Sequence, residues 1–152
     1  MLIRPVEADD FEQLGELMRQ LNPDDPAFDN RNFQVFQEIL PDPHFIVLVV
    51  EQDARLIGSL YLNIIPNLSR GGRPYALVEN VIIDQGSRRQ GIGKALMEKA
   101  IALAWEVGCY KLMLLTGRKG PEVHAFYKKL GFSAESKQAY ILRAADSPPG
   151  NP

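Results

Sequence analysis

Arg88-Arg89-Gln90-Gly91-Ile92-Gly93-Lys94-Ala95-Leu96 is the stretch whose reading decides the fold of this chain. Two glycines stand one residue apart, behind two arginines, at the head of an apolar stretch with helical spacing. Glycine lets a backbone turn left-handed and lets a guest approach closely. The first N–H groups of a helix lack internal partners, and the helix dipole adds partial positive charge there. Arg88, Arg89 and Lys94 add full charges, so the pattern predicts a seat for phosphate or pyrophosphate. Two familiar phosphate loops do not fit. Ala95 follows Gly93-Lys94 where a magnesium-binding hydroxyl is required, and Arg88 occupies the position of the first P-loop glycine. Leu96 fills the third small position of a dinucleotide fingerprint, where bulk blocks close helix–strand packing.

The flanks give the loop its context. Leu77-Val78-Glu79-Asn80-Val81-Ile82-Ile83 is a β-branched run that predicts a buried strand. Ile92, Ala95, Leu96, Ala100, Leu103, Ala104 and Val107 then follow helical spacing, and Gly108 reads as the stop. Further on comes His124-Ala125-Phe126-Tyr127-Lys128-Lys129-Leu130-Gly131-Phe132, with Pro121 suited to a first helical position and Val123, Phe126, Tyr127 and Leu130 on one face.

Upstream, Leu2-Ile3-Arg4 reads as a short strand. Asp9 with Glu12 three residues on reads as a capping box for a helix whose apolar face is Phe11, Leu14, Leu17, Met18 and Leu21. A second helix is expected over about residues 30–40 with Phe33, Phe36, Ile39 and Leu40 inward, by the same periodicity. Strands follow over 45–50, 56–65 and 75–83, with a polar loop at 66–74. Another strand is expected at 111–116 and a last one at 137–143, leaving Ser147 to Pro152 as a disordered tail. The order β, α, α, three strands, α, β, α, β predicts an α/β sandwich with a mixed, mostly antiparallel sheet. One domain over residues 1–145 and a tail over 146–152 are the expected organisation, with no internal repeat.

At this point the chain resembles the GCN5-related N-acetyltransferase (GNAT) superfamily. The family's Arg/Gln-x-x-Gly-x-Gly/Ala loop matches Arg88, Gly91 and Gly93. Its Phe-Tyr-x-x-x-Gly-Phe segment matches Phe126, Tyr127, Gly131 and Phe132, and its opening resembles Ile3-Arg4-Pro5-Val6-Glu7. The resemblance spans roughly residues 2 to 143. It implies an α/β sandwich, acetyl-CoA as the acyl donor with coenzyme A as product, and direct transfer to a primary amine without a metal. It also implies that the backbone of Val81, Ile82 and Ile83 pairs with the pantetheine arm, while Arg88, Arg89, Gln90, Gly91, Ile92, Gly93 and Lys94 hold the pyrophosphate. Homodimers are common among such proteins, and a homodimer is compatible here.

Acetyl transfer to an amine needs a base, a stabilised oxyanion and a proton for the leaving thiolate. Glu79 is the candidate base; strict alternation would place it on one face with Leu77, Val81 and Ile83. Its alternative is a solvated or salt-bridged strand residue, and a bulge in this strand would change its face. Tyr127 is the candidate acid, by its place in the motif; its alternative is an amphipathic core tyrosine. His124, one turn earlier, is a candidate cofactor contact or a surface residue. Many relatives carry a cofactor-contacting asparagine where this chain has Gly120, so contacts there would come from backbone. For the acceptor, Asp24, Asp25 and Asp29 suit a cationic amine, and Arg70 and Arg73 suit a carboxylate or phosphate, each set having a solvated loop as its alternative.

Composition bounds the rest. The 152 residues are 45% hydrophobic and 24% charged, ordinary for a globular chain, and the net charge of −2 argues against a general nucleic-acid binder. A lone Cys109 excludes an internal disulfide and fits a cytoplasmic location. With one Cys and two separated His there is no zinc-ligand spacing. No stretch reads as a signal peptide or approaches transmembrane length, so no membrane partner is expected. Two other readings stay open: a non-catalytic acyl-CoA-binding or regulatory module, and a protein N-terminal or lysine acetyltransferase.

Overall fold

The structure is a computed structural model that describes residues 1–144; the expected tail, 146–152, lies outside the described residues. The elements are β1 (Leu2–Pro5), α1 (Phe11–Leu21), α2 (Asn30–Ile39), β2 (Phe45–Gln52), β3 (Arg55–Ile65), β4 (Tyr75–Ile83), α3 (Ile92–Glu106), β5 (Leu112–Leu114) and α4 (Pro121–Lys129). The chain forms two compact units, Met1–Leu114 and the segment beginning at Leu115.

The first unit holds a five-stranded sheet in the order β1-β2-β3-β4-β5. The first four strands pair antiparallel, and β5 runs parallel to β4. This is the mixed, mostly antiparallel sheet expected from the sequence. Strand alternation sorts its side chains. Val47 and Val49 join Leu14, Leu17 and Met18 of α1 and Phe36 of α2 in one apolar cluster. Leu48 and Val50 point the other way, with Leu60, Leu62, Ala76 and Val78, and α3 packs on these strands through Ile92, Leu96, Met97, Ala100 and Ala104. Leu48, Leu60, Leu62 and Leu96 are fully buried. Each contributes on the order of 2 kcal/mol by burial alone, so this double-faced packing holds the sheet.

The N-terminal cap differs from expectation. The box is Glu7 with Asp10, closing a 3-10 turn over Ala8–Asp10 that precedes α1. The Glu7 backbone N–H donates to Asp10 Oδ2 at 2.7 Å. Arg4 explains the choice: its guanidinium donates to both Asp10 oxygens, at 2.7 and 2.9 Å, and to Glu51 Oε2 at 2.9 Å. The Arg4 ion pair, six residues away, thus selects Asp10 over Asp9. Burial alone would raise the Asp10 pKa, but the hydrogen bonds from Arg4 and the Glu7 N–H hold it below the usual carboxylate value. At α2, Asp29 accepts from the Arg31 and Asn32 N–H groups as N-cap, and Asn32 completes a box.

In the second unit, Val123, Phe126, Tyr127 and Leu130 form the half-buried face of α4, as their spacing predicts. The Tyr127 ring stacks edge-on with Phe126 (5.1 Å between centroids) and Phe132 (6.0 Å). The strand expected over 137–143 does not form. Tyr140, Ile141 and Leu142 are 90%, 63% and 76% exposed. That segment has the apolar content of a strand, but no ladder partner satisfies its backbone among the described residues, and content without pairing does not make a strand. The strand expected at 111–116 likewise shrinks to Leu112–Leu114, where β4 is available as partner.

Candidate active site

The site begins at a change in β4. Its first half pairs on both edges: Ala76, Leu77 and Val78 stand opposite Leu112, Met113 and Leu114 of β5 and opposite Ile64, Asn63 and Leu62 of β3. Beyond Val78 the β5 ladder stops, and residues 79–83 keep only β3 as partner. Backbone groups along that edge have no ladder partner, and apart from the Ile83 carbonyl, which accepts from Arg88, they can pair with an extended guest as an added strand would.

Within the open half the register slips. Tyr61 faces Glu79 and Ser59 faces Ile82, so Asn80 and Val81 together oppose Leu60 alone. This is a β-bulge, and Asn80 carries it in the left-handed region at φ 52°. Asparagine tolerates that conformation better than the β-branched residues around it. The bulge corrects which residues share the face of Glu79. Glu79 stays on the face of Leu77 and Tyr61, but Ile82 joins that face, buried in the α1/α2 cluster. Ile83 turns to the opposite face, where its Cδ1 fills the space beside Gly58. The Glu79 side chain is half-buried and has no hydrogen-bond or ion-pair partner among the described residues.

The strand then enters the phosphate loop. Asp84 caps a short turn, accepting from the Gly86 N–H at 2.9 Å. Gln20 of α1 clamps the same turn: its amide donates to Asp84 Oδ1 at 2.9 Å and its carbonyl accepts from the Gln85 N–H at 3.1 Å. The Gln20 hydrogen bond leads in holding Asp84 below the usual carboxylate range. Arg88 donates from Nε to the Ile83 carbonyl at 3.0 Å, and Gln90 donates to the Gly86 carbonyl at 3.4 Å. Gly91 is the N-cap of α3 with φ 80°, and no side chain caps the helix. A Cβ on Gly91 would meet no protein atom within 4 Å, so the space above it is open while its φ demands glycine. The N–H groups of Ile92, Gly93 and Lys94 open the helix, and Ala95 is the first to donate back, to the Gly91 carbonyl. Lys94 pairs with Glu98 at 2.5 Å on the exposed side, and Arg89 is exposed with φ 63°. This geometry fits a pyrophosphate.

The structure thus brings Glu79, Val81, Ile82, Ile83 and the residues from Arg88 to Lys94 into one continuous strand, loop and helix start. Tyr127 and His124 lie on α4 in the second unit. Burial pushes the Tyr127 phenol up, with Arg118 pulling weakly the other way, so it stays protonated through neutral pH. His124 is exposed. Several acceptor candidates have structural employment instead. Asp29 caps α2. Arg73 donates to the Gly108 and Cys109 carbonyls at 3.1 Å each, and Arg70 lies over the Tyr110 ring at 5.8 Å. Sequence reasoning missed Gln20, Asp84, Tyr61 and Asn80. The Asp84-Gln85-Gly86 turn signal was readable; the Gln20 clamp, 64 residues away, was not.

An open-edged strand, a left-handed glycine and a bare helix start follow one another in an α/β fold, a succession suited to an extended, phosphate-bearing ligand. The acetyltransferase (GNAT) family model matches residues 11–132. Glucosamine 6-phosphate N-acetyltransferase of Trypanosoma brucei brucei is 39% identical over 84 residues, and the chain spans about half of that relative's length, 55%. A protein of Oryza sativa subsp. japonica named "Probable glucosamine 6-phosphate N-acetyltransferase 2" is 32% identical over 91% of this chain and 86% of that protein. A solved acetyltransferase-like structure from Agrobacterium tumefaciens str. C58 superposes with a TM-score of 0.89 at 37% identity, covering 94% of this chain and 99% of that one. The chain belongs to the acetyltransferase (GNAT) family.

Proposed function

We propose that this chain is an acetyl-CoA-dependent N-acetyltransferase that transfers an acetyl group directly to the primary amine of a small molecule, with an amino sugar or amino sugar phosphate as the acceptor class. The observation that carries the reading is β4 itself: paired on both edges to Val78, then open on one edge through a bulge and leading into an uncapped α3. Both named sugar-phosphate acetyltransferases among the relatives support the acceptor class. The two compact units act together as one acetyltransferase domain, which the family match across both supports.

Bound acetyl-CoA supplies a thioester carbonyl for the amine to attack. Val81, Ile82 and Ile83 offer backbone groups to its pantetheine arm, and the α3 start with Arg88, Arg89, Gln90, Gly91, Ile92, Gly93 and Lys94 neutralises its pyrophosphate. Glu79 accepts the proton of the attacking amine, directly or through one water, since its carboxylate has no competing partner among the described residues. Tyr127 holds a proton that burial retains and gives it to the departing thiolate. His124 has a secondary role at the cofactor. No helix of the described residues is long and apolar enough to cross a membrane, and the lone Cys109 supports a cytoplasmic site of action.

A panel of primary amines including glucosamine 6-phosphate, assayed by free-thiol release from acetyl-CoA, tests this. Amine-dependent release that is slowed in Tyr127→Phe is expected. Tight acetyl-CoA binding with no release for any amine would turn the reading to a binding module.

A further inference from the structure

On the face of β4 that carries Glu79, three groups have hydrogen-bonding capacity left over. Glu79 is the first. Tyr61 stands directly across from it in the β3–β4 register, its ring packed on Phe45 at 5.4 Å and on the α1/α2 cluster. Burial pushes the Tyr61 phenol up, with the nearby Asn80 side chain pulling the other way, so it stays protonated through neutral pH. The Tyr61 O–H has no hydrogen-bond acceptor among the described residues, which leaves it an unspent donor. Ser59 is the third: fully buried, two residues along the same face, with a hydroxyl that finds no partner. Buried hydroxyls without partners are rare in proteins, and here one lies beside the bulge.

The chemistry of the facing pair is specific. A carboxylate accepts from the reacting amine. A phenol O–H across from it suits an oxygen on the same acceptor, because the amine's lone pair is committed to the carbonyl. We propose that Tyr61 is an acceptor-binding residue that hydrogen-bonds a hydroxyl on the carbon next to the reacting amine, and that Asn80 is the positioning residue that aims it. The enzyme then selects vicinal amino alcohols over plain alkylamines. This rests on the acetyltransferase reading above and adds a specificity determinant to it. A site built to bind a hydroxyl discriminates strongly against an analogue lacking it, since its own donor is left unpaired.

A matched pair of acceptors tests this: trans-2-aminocyclohexanol and cyclohexylamine, alongside glucosamine 6-phosphate, with wild type, Tyr61→Phe and Asn80→Gly. Glycine keeps the left-handed backbone of the bulge and removes only the amide. Wild type is expected to favour the amino alcohol about tenfold in kcat/KM, the worth of one good hydrogen bond. Tyr61→Phe is expected to lose that preference and to raise the KM for glucosamine 6-phosphate about tenfold, with the KM for acetyl-CoA within about twofold. Asn80→Gly should shift the amine KM in the same direction by less. A Tyr61→Phe enzyme that keeps the wild-type preference, or one that loses kcat with the amine KM unmoved, overturns this proposal alone. A wild type inert to every amine in the panel overturns the acetyltransferase reading, and this proposal with it.

Discussion

The two halves of β4 share one strand and do different work. Ala76–Val78 is laddered on both edges and buried on the α3 face, and its sequence, Ala-Leu-Val, is that of an interior strand. Residues 79–83 begin with a carboxylate and a left-handed asparagine, keep one ladder and run into the phosphate loop. One irregular residue, Asn80, marks the change. It carries the bulge that puts Ile82 rather than Val81 on the face of Glu79. The difference teaches that the fold and the site draw on separate stretches of the same element, so substitutions should separate stability from chemistry.

Glu79→Gln should separate them most sharply. It keeps shape and removes the base, so kcat is expected to fall by about 10²-fold or more while acetyl-CoA affinity and melting temperature hold. Steady-state kinetics with a binding titration checks this, and undiminished turnover across the pH range would remove Glu79 from the mechanism. Leu62→Ala, on the strand segment paired with Val78, is expected to do the reverse: about 3 kcal/mol of unfolding free energy lost, read by denaturant titration, with acetyl-CoA affinity retained in the folded fraction.

Arg4→Ala acts far from either half and is expected to cost about 2 kcal/mol, because it leaves the buried Asp10 carboxylate with only the Glu7 N–H. The pH dependence has a definite sign. The folded pKa of Asp10 is lowered, so its contribution is present above the ordinary carboxylate pKa and is lost as pH falls through the folded value. Wild-type stability should therefore drop on acidification below about pH 4, and Arg4→Ala should flatten that limb, in denaturation curves taken across the acid range. Gly91→Val has the smallest expected effect: a strained φ and new bulk at the phosphate seat, weakening acetyl-CoA about tenfold by calorimetry with little change in kcat at saturation.

Most of the frame was legible in the sequence because periodicity reports burial. The α1, α3 and α4 faces and strands β2 to β4 follow their apolar spacing. The failures share a cause: they depend on partners outside the local pattern. The 137–143 run has a strand's composition but no ladder. Asp10 wins the cap over Asp9 through Arg4. Glu79 and the glycine loop were legible as residue types in a pattern, whereas Tyr61 became visible only through the β3–β4 register that sets it opposite Glu79. Local chemistry announces itself in a sequence, but a cross-strand pair does not.

Amide hydrogen exchange along β4, with and without acetyl-CoA, separates the two halves of the strand. Acetyl-CoA is expected to slow exchange within residues 79–83 and at Ile92–Lys94, while Ala76–Val78, already laddered on both edges, stays as it was. Protection spread evenly along β4, or none in residues 79–83 under saturating acetyl-CoA, would contradict it.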